Sequence, residues 1–373
     1  MAEPSSPGLY VHVPLCRSKC RYCGFFSVAR TDLEPRWLAA LAREAEAAAA
    51  DWSTFDTLYV GGGTPSVLAE ASIEEVMRVA TQTLELDPAA ERTLEVNPGD
   101  VTEARARHWR GLGFDRVSVG VQSFRDDELD WLGRRHDAAT ARQALEALRA
   151  AGFERIGIDL VQGLPKQSLD ARLESLDGAL GFEPDHLSCY ELTVEPDTPL
   201  EGDVAAGRCS LPEPNAAADA FLAVSDHLRD RGFVHYEISN FARDEQSRSQ
   251  HNQKYWNHTP YLGLGPAAHS FADGSRWSNV SSVQEYAKAL AAGRDPASHR
   301  EDLSEEQLRW ERVFLGLRTS RGIALRDVSE PHEPPALARL EAQGFVRRDG
   351  DRLVPTVRGF VVADALSREL LFG

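Results

Sequence analysis

Three cysteines lie close together near the start of the chain, in the stretch CRSKCRYCGF at residues 16 to 25. Cys16, Cys20 and Cys23 form a C-x3-C-x2-C pattern on a polar loop, where their thiolates can converge on a metal centre. Structural zinc is usually closed by four ligands. The available fourth ligands are His12, Cys189 and Cys209. A catalytic site, or a cluster with one open coordination position, needs only three ligands. The pattern therefore favours three thiolates that leave a position for a substrate, over three buried apolar cysteines.

Glycines and polar residues follow the strands that the sequence predicts. GGGTPS at 61 to 66 comes directly after one strand, and a glycine run there lets the backbone approach a ligand closely. At or after the ends of later strands stand Glu95, Gln122, Arg134 and Asp159. In a barrel, polar side chains at the carboxyl ends of strands point into the mouth of the active site. Taken singly, each also fits a plainer role in a loop, a helix cap or a salt bridge.

The elements that must position these residues alternate regularly. Apolar, β-rich runs begin at residues 9, 57, 93, 116, 155, 186 and 234. Between them lie stretches with helical periodicity, such as PRWLAALAREAEAAAADW and ATARQALEALRAAGF, and the second of these ends at Gly152. Strands alternating with helices indicate an α/β fold with a parallel sheet. Six or seven such units predict a full or partial (β/α) barrel, although a doubly wound open sheet has the same pattern.

The pattern changes at about residue 300. SEEQLRWERVFLGLR is predicted to be a helix with Ser304 as its N-cap. A short helix and a hairpin that turns at Asp349 and Gly350 follow, an arrangement that resembles a winged helix. Residues 330 to 360 hold five arginines and five acidic residues, so this segment lacks the charge of a DNA-binding surface. We predict a core domain over 1–290 and a small C-terminal winged-helix-like domain over 300–373 with a packing or lid role.

Composition and charge exclude several functional classes. The 41 basic and 58 acidic residues give a net charge of −17, which repels phosphate backbones and anionic lipid. We therefore expect no nucleic-acid partner. The sequence has no apolar run of about 18 residues and no signal-peptide layout at its start. The five cysteines, three of them clustered, suit a reducing compartment. These features predict a cytoplasmic protein without a membrane segment.

The cysteine pattern, with an aromatic residue before its last cysteine, resembles the motif of radical S-adenosylmethionine (SAM) proteins. In that family three thiolates hold a [4Fe–4S] cluster whose fourth iron binds SAM. The resemblance implies a partial (β/α)6 barrel and assigns Cys16, Cys20 and Cys23 to the cluster. It also implies a SAM site, with Tyr10 and Tyr22 at the positions of aromatic residues beside SAM and the cluster. The SAM-binding residues that it implies are Tyr10, Tyr22, Gly62, Gly63, Thr64, Glu95, Gln122, Arg134 and Asp159.

The order YVHVPLC, YCGF, GGGTPS, EVNP, SVGVQSF, DLVQGLP resembles the branch that contains anaerobic coproporphyrinogen III oxidase. That oxidase normally has a further cysteine two residues after the third, at the position where this chain has Phe25. It normally also has a longer N-terminal extension than this chain. The stretch 235–270 is instead similar to the heme chaperones of the HemW type, which have an HNxxYW motif. The heme-binding candidates that this motif implies are His251, Asn252, Tyr255 and Trp256. Histidine can ligate heme iron and aromatic rings can stack on a porphyrin.

Three alternatives accompany this motif. His251 and Asn252 also fit a loop cap, with Tyr255 and Trp256 filling a seam under the C-terminal domain. Rival heme ligands are His12, His258 and His269. Two small departures from the family pattern, Ala267 and Gln162, affect none of the assigned ligands.

The resemblance implies a heme chaperone of porphyrin metabolism rather than an enzyme that decarboxylates a porphyrinogen. Its cofactors would be a [4Fe–4S] cluster, SAM and heme. Its partners would be a heme-acceptor protein, which could be associated with a membrane, and a low-potential electron donor. The alternative within the branch is the oxidase itself, which removes carboxyl groups from propionate side chains. A third interpretation is a radical SAM enzyme with another substrate, because one scaffold supports many chemistries.

Overall fold

The structure is a computed structural model that describes residues 6–329 and 335–373. Strands and helices alternate through its first half, as the sequence predicts. In chain order the elements are β1 Gly8–Val13, α1 Glu34–Ala48, β2 Phe55–Gly62, α2 Glu70–Arg78, β3 Leu86–Val96, α3 Glu103–Gly111, β4 Arg116–Gln122, α4 Asp126–Leu132, α5 Ala138–Ala150, β5 Arg155–Gln162, α6 Leu169–Leu180 and β6 His186–Glu191.

The second half adds helices and short strands to both edges of this unit. They are α7 Pro199–Ala205, α8 Pro214–Arg229, β7 Val234–Glu237, β8 Asn240–Ala242, α9 Gln250–Asn257, β9 Tyr261–Leu264, β10 His269–Ala272, β11 Ser275–Asn279, α10 Val283–Ala291 and β12 Ala297–Asp302. The C-terminal elements are α11 Glu305–Gly316, β13 Ile323–Ala324, α12 Arg326–Ser329, α13 Ala336–Ala342, β14 Val346–Asp349, β15 Arg352–Pro355, α14 Val357–Val361 and α15 Ala363–Phe372.

One mixed sheet carries the first twelve strands, in the order β12-β11-β10-β9-β1-β2-β3-β4-β5-β6-β8-β7. The strands from β1 to β6 are parallel neighbours in chain order, and β9 adds to β1 in the same direction. The outer strands on both sides are antiparallel. Because the pairing found in the described residues ends at β12 and β7, the parallel unit is the partial (β/α)6 barrel that the resemblance implied. The predicted strand at 234 is present as β7, but it lies antiparallel at the sheet edge and is therefore not a seventh parallel unit.

The described residues contain two main apolar cores and a small third cluster around Leu132, Leu164 and Leu200. The larger fills the barrel and the space under its helices, with Trp37, Trp109 and Tyr286 among its fully buried side chains. The smaller lies among the C-terminal helices and the three-stranded sheet β13-β15-β14, around Leu337 and Leu353. The predicted capping of α11 by Ser304 is present as a full capping box. The predicted hairpin is present as β14 and β15, but its turn is formed by Gly350 and Asp351, one residue later than predicted, because Asp349 pairs with Arg352. The domain limits at 290 and 300 stay a prediction.

The C-terminal elements are joined to the sheet edge by backbone hydrogen bonds. The Ile238 amide donates to the Arg318 carbonyl at 3.0 Å, and the Ser320 amide donates to the Tyr236 carbonyl at 2.9 Å. These bonds bring the segment after α11 beside the hairpin of β7 and β8. None of the helices in the described ranges has the length and apolar character needed to cross a bilayer.

Candidate functional site

A cavity of about 790 Å³ opens at the carboxyl ends of the parallel strands. Its size falls within the range of small-molecule sites. In a (β/α) barrel this end carries the side chains that follow the strands, so residues far apart in sequence meet there. All the predicted cluster and SAM residues except Tyr10 line it: Cys16, Cys20, Tyr22, Cys23, Gly62, Gly63, Thr64, Glu95, Gln122, Arg134 and Asp159.

The cysteines lie on the loop that follows β1. Backbone bonds fix the base of this loop, because the Cys16 amide donates to the Val28 carbonyl at 3.0 Å. The Cys16 Sγ lies 3.3 Å from the Thr64 Oγ1, and Arg134 Nη1 donates to the Cys20 Sγ at 3.4 Å. The three thiols therefore face the same cavity from one loop.

Two arginines inside the cysteine loop attach it to neighbouring elements. Arg17 Nε donates to Asp100 Oδ1 at 3.1 Å, and Asp100 is itself buried. Arg21 donates to the Trp131 carbonyl at 3.2 Å and forms an ion pair with Asp203 on α7. The loop is thus held from both sides of the barrel mouth.

The thiols fit a cluster better than a single ion. In residues 6–329 and 335–373, no three histidine, cysteine or acidic side chains converge tightly enough to hold one metal ion. A [4Fe–4S] cluster is held by one thiolate per ligated iron, which calls for a wider spacing. Burial, and to a smaller degree the neighbouring Cys20 and Cys16, raise the pKa of Cys23, so a positively charged centre would favour its thiolate.

The rival fourth ligands are already engaged or distant. Both ring nitrogens of His12 are paired, with the Tyr10 hydroxyl at 3.0 Å and the Phe26 carbonyl at 2.9 Å. Cys189 is buried on β6 and Cys209 follows α7, and neither lines the cavity. Among the described residues, the loop therefore presents three thiols to the cavity, and none of the three rival ligands lines it.

The glycine run after β2 passes directly against the cysteine loop. A Cβ at Gly63 would lie 2.8 Å from the Leu15 carbonyl oxygen, 2.9 Å from that of Val13 and 3.1 Å from the Cys16 Sγ. Gly62 has a φ of 109°, which side-chain-bearing residues rarely adopt. The run is therefore required for close packing of two backbones at the floor of the cavity.

Two half-buried carboxyl groups line the cavity together with the cysteines. Glu95 accepts from the Tyr59 hydroxyl at 2.8 Å and from the Gly62 amide at 3.0 Å. Burial, reinforced by the charge of Asp159, raises the pKa of Glu95 to about 7. Asp159 accepts from Ser118 Oγ at 2.9 Å, and burial raises its pKa too. Such groups suit hydrogen bonding to ligand hydroxyl or ammonium groups.

The remaining SAM candidates differ in position. Arg134 also donates to the Gly120 carbonyl at 2.8 Å, and Gln122 ends β4 in a left-handed conformation with a φ of 71°. Tyr22 lines the cavity beside Arg134. Tyr10 lies deeper, inside the barrel, with its hydroxyl on His12 and its ring centroid 6.2 Å from that of Tyr59. Tyr10 therefore contacts the cavity-lining Tyr59 but does not itself line the cavity.

The HNQKYW segment lies at the opposite end of the barrel. It forms α9, which Ser249 caps and which packs against the start of β2. His251 is fully buried: its Nδ1 lies 2.8 Å from Thr57 Oγ1, and its Nε2 lies 2.8 Å from the Tyr255 hydroxyl. Burial lowers the pKa of His251 to about 3, so its ring is neutral.

The other members of the motif are half-buried. The Trp256 ring lies edge-on to Tyr236, 5.9 Å between centroids, and the Asn252 amide donates to Ser249 Oγ at 3.3 Å. The structure thus does not bring His251, Asn252, Tyr255 or Trp256 into the cavity, and their role in heme binding stays a prediction. In this conformation an iron ligand role for His251 would require the hydrogen bond of the ligating nitrogen to break, either that with Thr57 or that with Tyr255.

Several cavity residues were not identified from the sequence. They are Lys19, Phe25, Tyr59, Ser118, Arg135, Tyr190 and Arg318. Tyr59 and Ser118 could have been found by counting every second residue back from the strand ends. Arg318 could not, because only the tertiary packing of the segment after α11 brings it to the cavity, where it pairs with Glu237 at 3.4 Å.

Comparison with known proteins extends this description over the whole chain. The model of the radical SAM superfamily matches residues 10–178, and that of the HemN C-terminal domain matches residues 303–362. The heme chaperone HemW of Mycobacterium tuberculosis is 36% identical over 99% of this chain and 96% of its own length. HemW of Bacillus subtilis is 31% identical over 94% and 95%. The coproporphyrinogen III oxidase HemN of Escherichia coli has a similar structure, with a TM-score of 0.83, 23% identity and coverage of 99% and 91%.

Proposed function

The chain belongs to the HemW family of radical SAM proteins, and we propose that it is a heme chaperone that binds heme and passes it to an acceptor protein. The observation that carries this proposal is identity of 30–36% to proteins named heme chaperone HemW along nearly the entire chain. The likeness to the oxidase HemN, at 23% identity, indicates the fold alone.

Cys16, Cys20 and Cys23 would hold a [4Fe–4S] cluster in the proposed protein, since all three line one cavity and the rival ligands His12, Cys189 and Cys209 do not. SAM would lie beside them, against Gly62, Gly63 and Thr64, with Glu95, Gln122, Asp159, Arg134 and Tyr22 around it. When bound, this pair supplies one-electron chemistry. The protein's own residues position the ligands and exclude water. Tyr10 would act indirectly because it does not reach the cavity.

The mouth of the cavity has the chemistry of a tetrapyrrole site. Phe25 and Tyr190 line it and are 70% and 42% exposed, unusual values for large apolar side chains. Lys19 and Arg135 line it as well, and neither pairs with a carboxylate among residues 6–329 and 335–373. Exposed rings can stack on a planar macrocycle, and two unpaired cations can meet two propionates. We therefore propose that the heme docks at this mouth.

The oxidase is the second candidate function, because its substrate is also a tetrapyrrole with carboxylate side chains and would fit the same mouth. The residue at position 25 argues against it. The oxidase normally has a cysteine two residues after the third, whereas here the position carries the exposed Phe25.

Heme titration of the anaerobically reconstituted protein, with and without SAM, tests the proposal. Coproporphyrinogen III is offered in parallel as a substrate. We expect saturable heme binding near one to one and no release of CO2 from the porphyrinogen. Decarboxylation of the porphyrinogen with consumption of SAM would instead identify an oxidase.

Arg135→Glu separates the two heme locations. If the mouth holds heme, this variant should weaken heme binding about tenfold, the effect of losing one charge-assisted contact. Arg36→Glu, the same charge change at an exposed position on α1, is the matched control and should bind like the wild type. Unchanged binding in Arg135→Glu with loss of binding in His251→Ala would place heme on α9 instead.

The existence of a heme-acceptor protein and of a low-potential electron donor as partners stays a prediction, as does the cytoplasmic location. We propose no nucleic-acid partner, because a net charge of −17 repels phosphate backbones.

A further inference from the structure

A cluster of aromatic side chains connects α9 to the floor of the cavity. We call it the interior ring cluster and define it as Tyr10, Tyr59, His251 and Tyr255. The centroid of the His251 ring lies 5.3 Å from that of Tyr59 and 6.3 Å from that of Tyr10. His251 also meets the Tyr255 ring edge-on at 5.2 Å. The histidine is thus the member that joins the helix to the rings inside the barrel.

Hydrogen bonds fix the position of the His251 ring. Thr57 Oγ1 and the Tyr255 hydroxyl hold its two nitrogens at 2.8 Å each, and Thr57 is fully buried on β2. The His251 backbone amide donates to Glu91 Oε1 at 3.2 Å. A neutral ring with both nitrogens paired has one orientation, so it presents a defined face to Tyr59.

Tyr59 continues the contact to the cavity. Its ring packs on His251, while its hydroxyl donates to Glu95 Oε1 at 2.8 Å. The other oxygen of Glu95 accepts from the Gly62 amide at 3.0 Å. Tyr59, Glu95 and Gly62 all line the cavity. A continuous series of contacts therefore runs from α9 to the residues proposed to hold SAM.

We propose that His251 is a positioning residue of the SAM pocket, which acts by packing on Tyr59 and so fixes Glu95 against Gly62. The inference rests on the SAM-binding part of the proposed function and does not depend on heme. It gives a role to a buried histidine in a segment otherwise predicted to ligate iron. A histidine that only filled the core would affect stability and leave the SAM pocket unchanged.

Two substitutions separate positioning from stability. His251→Ala removes both the ring and its hydrogen bonds. His251→Phe keeps a ring against Tyr59 and removes only the hydrogen bonds, which leaves Thr57 and Tyr255 unpaired. Both variants should unfold more easily than the wild type. Only His251→Ala should lose the contact that fixes Tyr59.

The measurement is the SAM dissociation constant of the anaerobically reconstituted protein, with iron content determined for each variant. We expect SAM binding to weaken about tenfold in His251→Ala and to stay within about twofold of the wild type in His251→Phe. His186→Ala is the matched control, because His186 is equally buried and pairs with one tyrosine hydroxyl, that of Tyr236. It should destabilise the fold without weakening SAM binding.

A double-mutant cycle with Tyr59→Phe tests the route. Tyr59→Phe removes the hydrogen bond to Glu95, so His251→Ala should weaken SAM binding less in that background than in the wild type. Unchanged SAM binding in His251→Ala, equal losses in the Ala and Phe variants, or strict additivity in the cycle would each overturn the inference. A wild-type protein that binds iron but no SAM would refute that part of the proposed function, and this inference with it.

Discussion

Glu44 is the residue whose removal should most clearly alter the stability of the fold. It lies on α1 and is buried, and its carboxylate receives three donors from the added strands and helix. The Gly265 amide donates to Oε2 at 2.8 Å, Asn279 Nδ2 donates to Oε1 at 2.5 Å, and the Tyr286 hydroxyl also donates to Oε2. One carboxyl group thus attaches the β9–β12 side of the sheet to the barrel.

The magnitude follows from these contacts. Glu44→Ala leaves the Gly265 amide and the Tyr286 hydroxyl buried without their acceptor, whereas Asn279 retains the Gly265 carbonyl at 2.9 Å. A buried donor without a partner costs about 1–3 kcal/mol. We therefore expect the unfolding free energy to fall by about 4 kcal/mol at pH 5, where the carboxyl group of the folded wild type is protonated.

The effect should depend on pH. Burial, more than the nearby Asp295, raises the pKa of Glu44 from 4.5 to about 7. At about 1.4 kcal/mol per pKa unit, this shift gives the wild type about 3 kcal/mol of stability below pH 4.5 that is lost as the pH rises to 7. The alanine variant lacks this loss. The stability difference between the two proteins should therefore shrink by about 2–3 kcal/mol between pH 5 and pH 8.

Urea unfolding followed by tryptophan fluorescence at pH 5 and pH 8 measures this difference. Glu46→Ala, an exposed position on the same helix, is the control and should change stability by less than about 0.5 kcal/mol at either pH. An equally large loss in Glu44→Ala at both pH values would refute the link between burial of this carboxyl group and the pH dependence of folding.

Three further predictions concern the cavity. Cys20→Ala should abolish the absorption of the reconstituted [4Fe–4S] cluster while Cys209→Ala leaves it intact; full iron loading of the first, or iron loss in the second, would contradict the ligand set. Gly63→Ala should weaken SAM binding at least about tenfold because its Cβ meets backbone oxygens under 3 Å away, whereas Gly202→Ala, with open space around it, should not. Asp100→Asn removes the negative charge that pairs with Arg17 of the cysteine loop. A chelator should therefore remove iron from this variant about fivefold faster than from the wild type, as measured by the decay of cluster absorption. An unchanged rate would show that this ion pair does not hold the loop.

The sequence predicted the local and periodic features well. Alternating apolar runs gave the positions of β1 to β6, because a strand buried on both faces needs a continuous apolar segment. Ser304 and Gly152 marked helix ends through cap chemistry that depends on a few adjacent residues. The run at 234 is a strand, as predicted, but its antiparallel direction was not predictable, because the direction of an edge strand depends on its neighbours in space and not on its own residues.

What the sequence by itself determined was the set of chemical groups: three clustered thiols, a glycine run, and polar residues at strand ends. Parallel strands bring their carboxyl ends to one edge, so that set was bound to meet in one cavity. Only the tertiary structure decided the rest. It placed Tyr10 below the cavity and Arg318 at its mouth, and it buried His251 at the opposite end of the barrel. Those positions depend on packing between segments that are distant in the chain, and no local pattern of residues encodes such contacts.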